Sequence, residues 1–72
     1  MVELTLFEEK VLRALIDLGA FDEGSMKTAD HIMKKINLAK GIVGNSLISL
    51  VNRGLIKRIV REKASGYYVI KR

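Results

Sequence analysis

TADHIMKKINLAKGIVGNSLISLVNRGLI, residues 28–56, decides the fold of this 72-residue chain. At helical spacing it gives an apolar stripe of Ala29, Ile32, Met33 and Ile36, then a break over Asn37 to Lys40. A second stripe of Val43, Leu47, Leu50 and Val51 follows and stops at Gly54. Apolar residues recurring three and four apart mark one face of a helix, so the stretch holds two short helices across a tight turn. Thr28 is placed to cap the first, because its hydroxyl can take a backbone N–H that the first turn leaves unpaired. Asn37 tolerates the left-handed conformation that ends a helix. The expected spans are Ala29 to Ile36 and Lys40 to Arg53.

Upstream, Thr5 and Glu8 have the spacing of a capping box, in which each side chain satisfies the other's backbone N–H. A first helix is expected from there to Gly19, with Phe7, Val11, Ala14, Leu15 and Leu18 on its stripe. Leu12 and Ile16 widen that stripe beyond the ~100° that a one-sided surface helix needs. Either two neighbours within the chain share this helix, or a second copy does; we expect a homodimer centred on Leu12 and Ile16. Asp22, Gly24 and Ser25 read as turn residues, Phe21 is expected to tuck onto the core, and Met26 with Lys27 is expected to add a short third strand.

After Ile56 the period shifts to two. IKRIVRE, the polar turn KASG and YYVIK make a β-hairpin, with Gly66 expected to take a positive backbone angle in the turn. Tyr67 and Tyr68 alternate faces, so one is expected in the core. The fold class is therefore α+β: three helices followed by a two-stranded hairpin, in a single domain spanning residues 1–72.

Charge is sorted along the chain. Residues 1–24 set two cations against six carboxylates, a net of −4, whereas residues 25–72 set eleven cations against Asp30 and Glu62, a net of +9. The basic part coincides with the helix pair and the hairpin, which points to a polyanion partner. Cysteine is absent and histidine occurs once, which removes disulfides, thiolate sites and a zinc constellation, so no metal and no cofactor is expected. Nor does a nucleophile stand with a base, or a glycine-rich loop with phosphate-cradling spacing, and no catalysis is expected. No apolar run approaches the roughly 20 residues that span a bilayer, and MVELTLFEEK lacks the basic-then-apolar order of a signal peptide, so a cytoplasmic protein without a membrane association is expected.

The helix pair is the helix-turn-helix unit, which presents its second helix to a DNA major groove. Leu38, Ala39, Lys40, Val43 and Leu47, running into Gly54, Leu55 and Ile56 and then at once into a basic hairpin, resemble the winged helix-turn-helix domain of many bacterial and archaeal transcription regulators. The resemblance covers nearly the whole chain. It implies double-stranded DNA as partner, a recognition helix in the major groove, and a wing on phosphates or in the minor groove. On the helices the expected contacts are Lys34, Lys35, Lys40, Gly41, Ile42, Gly44, Asn45 and Ser49; on the wing they are Arg58, Arg61, Lys63 and Ser65. Asn45 can pair with adenine N6 and N7, and Ile42 with a thymine methyl. Gly41 and Gly44 depart from the family, whose regulators often carry Ser, Thr or Arg there, and so limit the reach of direct readout. Two rival readings follow from the same resemblance: a protein-interaction subunit of a transcription or replication assembly, and an RNA binder similar to a small-subunit ribosomal protein.

Overall fold

The computed structural model describes residues 5–62 and 64–70. Helix α1 spans Leu6–Asp17, α2 spans Ala29–Ile36 and α3 spans Lys40–Asn52; strands β1, Ile56–Val60, and β2, Ser65–Val69, form the hairpin. Each helix start follows from a local device. The Glu8 N–H donates to Thr5 Oγ1 at 3.2 Å and the Thr5 N–H donates to Glu8 Oε1 at 2.9 Å, which closes the capping box of α1. Thr28 caps α2 through the His31 N–H, and the His31 ring returns the contact at Thr28, a role for this histidine that its sequence context did not suggest. Asn37 ends α2 with φ 55° and ψ 44°, the left-handed cap expected of it.

The helices and the hairpin close on one core of Val11, Ala14, Leu15, Ala20, Ile32, Val43, Leu47, Leu50, Ile56 and Val69. Leu12, Ile16, Tyr67 and Tyr68 pack against it while keeping part of their surface exposed, so both tyrosines share in covering the core. Two expectations for α1 and its loop are corrected. Phe7 lies outside the buried stripe at 41% exposure, and its place is taken by Glu8. Phe21 is 38% exposed, because Ala20 fills the core position beside it and accepts the Val69 N–H at 2.7 Å, which turns the next side chain outward.

The hairpin is antiparallel, pairing Ile56 with Val69, Lys57 with Tyr68, Arg58 with Tyr67, Ile59 with Gly66 and Val60 with Ser65. Directly opposed residues share a face. Ile56, Arg58, Tyr67 and Val69 therefore stand on one side, with Lys57, Ile59 and Tyr68 on the other. The third strand reduces to a single bridge, in which Lys27 and Tyr67 exchange backbone hydrogen bonds of 2.9 and 2.8 Å. Gly66 is corrected as well: it lies within β2, and among the described glycines the positive angles belong to Gly19 and Gly54. Its glycine answers a packing demand, since Cγ, Sδ and Cε of Met26 occupy the space a Cβ would need.

Candidate nucleic-acid interface

At 100° per residue, α3 has three kinds of neighbour around its circumference. Val43, Ser46, Leu47 and Leu50 face the core. Ile42 and Ser49 turn toward the start of α1, where they line a groove with Thr5, Phe7 and Glu8. Val51 turns the other way, toward the hairpin, and lines a second groove with Ile48, Asn52, Arg58 and Tyr67. Gly41, Asn45, Ile48 and Asn52 form the exposed ridge where the two grooves meet, Asn45 on the rim of the first and Ile48 with Asn52 on the rim of the second.

This geometry redistributes the expected contact residues. Lys40, Gly41 and Asn45 are exposed on or beside the ridge, and Lys34 and Lys35 are exposed on α2. Gly44 is half-buried on the hairpin side. Ile42 is half-buried toward α1, and Ser49 directs its side chain to the Glu8 carboxylate, so neither stands on the ridge. Ile48, 56% exposed, takes the place expected of Ile42. A helical wheel centred on Val43, Ser46, Leu47 and Leu50 separates the two, because residue 48 falls about 150° from that centre and residue 42 only about 90°.

Glu8 is the buried carboxylate among the described residues, 3% exposed, and its spacing from Thr5 predicts only a capping role. Arg53 Nε donates to its Oε2 at 2.8 Å across the α1–α3 junction. The Thr5 N–H first, with Ser49, the Thr5 hydroxyl and Arg53 contributing less, holds the carboxyl down from the ordinary 4.5 to about 2 against the opposing effect of burial. The group is thus a fixed anion that orients α3 on α1.

On the hairpin, Arg58 Nε donates to Ser65 Oγ at 3.2 Å, which steadies the guanidinium beside the ridge. Arg61 reaches Glu23 with 3.1 Å between Nη2 and Oε2; both side chains are more than half exposed, at 54% and 58%. Lys57 is exposed on the opposite face of the same strand. Lys63 lies outside the described residues, as do Lys71 and Arg72. At the other end of α3, Ala39 gives no side-chain cap, so the first-turn N–H groups beside Lys40 stay open to an external acceptor. Thr28, Asp30, Lys40, Ser65 and Tyr67 line the cleft there.

Among the described residues, no three His, Cys, Asp or Glu side chains gather into a site for a metal ion, and no helix is long and apolar enough to cross a membrane.

Three helices, an exposed ridge on the third and a basic hairpin beside it fix the architecture. The fold is that of a winged helix. It superposes on TubR from Bacillus megaterium pBM400 with a TM-score of 0.84 and 16% identity, covering 93% of this chain and 74% of that one. It superposes on the DNA-binding TubR fragment from Clostridium botulinum with a TM-score of 0.76 and 16% identity, covering 94% of this chain and 85% of that one. No protein-family model matches the chain, and no curated protein matches it. In winged-helix terms, the Ile56–Val69 hairpin is the wing and α3 occupies the position of the recognition helix.

Proposed function

We propose that this chain binds double-stranded DNA as a small cytoplasmic transcriptional regulator, with α3 in the major groove and the wing along the sugar–phosphate backbone. The observation that carries the reading is the pairing of an uncharged exposed ridge with a cationic wing across one groove. Ile48 and Asn52 line one wall of that groove, and Arg58 with Tyr67 lines the other. Uncharged polar and apolar groups suit base edges, whereas guanidinium and ammonium groups suit phosphates, and the two classes stand here on separate elements. The open N-terminus of α3 beside Lys40 suits a further phosphate. Support comes also from the winged-helix likeness to a TubR fragment described as DNA-binding.

The reading includes a homodimer. A single ridge and wing bury less surface than specific affinities of about 10⁻⁸ M require, and two copies would double it over a two-fold site. The exposed portions of Leu12 and Ile16 on α1 are the surface assigned to that pairing.

Fluorescence anisotropy with labelled duplex DNA, titrated at several salt concentrations and challenged with structured RNA, tests the reading. Duplex affinity falls steeply with salt, because each neutralised phosphate releases counterions, and RNA competes weakly. A salt slope near zero, or preferential capture by RNA, rejects it.

A further inference from the structure

The ridge of α3 carries a more specific message than its position. Gly41, Asn45, Ile48 and Asn52 are all exposed, fall within an arc of about 60°, and include no ionised group. The four bases call for different chemistry in the major groove. Guanine O6 and N7 call for arginine or lysine, and the cytosine amino group calls for a carboxylate. Adenine N6 and N7 match an amide, and the thymine C5-methyl matches an apolar side chain. An amide, an isoleucine and a second amide follow one another along this ridge, and the cations are kept off it. Lys40 stands at its N-terminal end, and Arg58 is held on the wing by Ser65.

Spacing agrees with the chemistry. Asn45 and Asn52 are separated by a rise of about 10 Å, which spans about three base-pair steps, with Ile48 between them. Ile48 is 56% exposed while its neighbours Leu47 and Leu50 are fully buried, so the fold has no need of its side chain on that face. Gly41 and the half-buried Gly44 leave the N-terminal part of the ridge low, which lets the helix approach base edges closely.

We propose that the ridge selects A·T base pairs, with Ile48 packed on a thymine C5-methyl group and Asn45 and Asn52 pairing with adenine edges on either side. The inference rests on the DNA-binding reading above and adds to it the base chemistry and two residues, Ile48 and Asn52.

Replacing thymine by uracil removes only the methyl group, which makes the test direct. A preferred duplex is first selected from a random pool with the full chain and then synthesised in two forms, with thymine and with deoxyuridine. Anisotropy gives the affinity of the parent, Ile48→Ala and Asn45→Ala for each form. The selected core is expected to be A·T-rich, and the parent is expected to bind the uracil form about fourfold more weakly per contacted methyl, the factor that burying one such group corresponds to. Ile48→Ala binds both forms alike. Asn45→Ala loses about fivefold or more on the selected site and little on a scrambled duplex. The thymine–uracil comparison on the parent needs no variant, so it stands even if a substitution disturbs folding. A G·C-rich core, or a parent indifferent to the methyl, overturns the inference while salt-sensitive duplex binding leaves the DNA-binding reading intact; a parent that binds no duplex overturns both.

Discussion

Arg53, the residue that caps the end of α3, donates from Nε to Glu8 Oε2 at 2.8 Å and so ties the last turn of α3 to the first turn of α1. The carboxylate is buried while the Arg53 side chain keeps about a third of its surface exposed, so losing the Glu8 charge removes charge-assisted hydrogen bonds without burying a bare cation. The Glu8 carboxyl titrates near 2 in the folded chain, below its ordinary 4.5, so its contribution is complete above pH 4.5 and disappears as the pH falls toward 2. That difference corresponds to at most about 3 kcal/mol. Urea denaturation followed by circular dichroism at neutral pH and at a pH of ~3 is expected to show this loss in the parent. Glu8→Gln is expected to be less stable by about 1–3 kcal/mol at neutral pH and nearly flat across the acid range. An acid limb of unchanged steepness in the variant would place the titrating group elsewhere.

Arg61 is engaged by Glu23 in the free chain, and the pair is exposed enough to be worth no more than about 1 kcal/mol. A phosphate that recruits Arg61 must displace this carboxylate. Glu23→Gln is therefore expected to raise duplex affinity about two- to fivefold at low salt, the range that so weak a pair allows. Arg61→Ala should weaken binding to all sequences alike and reduce the salt slope by about 1. In an Arg61→Ala background the Glu23 change should have no effect. An equal gain there would mean that Glu23 acts through its general field on the wing.

What was legible in the sequence is what local devices fix. The α2 boundaries were readable because Thr28 and Asn37 are self-contained signals, and the α1 start because Thr5 and Glu8 are three residues apart. Contacts between distant segments were hidden. Gly66 reads as a turn glycine, yet it is excluded from carrying a side chain by Met26, forty residues earlier. Glu8 reads as a cap, and its partner Arg53 is 45 residues away. The exposed surface of α3 differs from the expected one for a related reason: a helix with only a core side and a solvent side exposes half its circumference, whereas α3 is flanked by α1 at Ile42 and Ser49 and by the wing at Val51. What remains open is the narrow ridge that substitutes Ile48 for Ile42.

Gly44 offers a test of whether the low ridge serves binding. It lies inside α3 at an ordinary helical angle, and nothing stands within 4 Å of the place where a Cβ would be. Glycine in a helix interior costs roughly 0.8–1 kcal/mol relative to alanine, so Gly44→Ala is expected to raise stability by nearly that amount. Thermal denaturation should shift upward by about 4–8 °C per kcal/mol gained for a domain of this size. Duplex affinity is expected to fall in the same variant, because the added methyl points beside the ridge and holds the helix off the bases. A variant that is both more stable and equally tight would leave this glycine without a role in binding.

The proposed pairing of two chains through α1 turns on what Leu12 and Ile16 do in one. Both pack against their own core and both keep part of their surface exposed, so a second copy would complete a burial that the chain itself leaves unfinished. Replacing both with glutamate puts two carboxylates where the apolar edges would meet, and charges buried without partners are strongly disfavoured. Sedimentation equilibrium is expected to show a dimeric parent. The Leu12→Glu, Ile16→Glu double variant is expected to be a folded monomer that keeps salt-dependent, weaker binding to single half-sites. A parent that stays monomeric well above micromolar concentration rejects the interface. A double variant that loses its helical circular dichroism signal assigns both residues to the core of one chain, where the partial burial already observed would be their whole contribution.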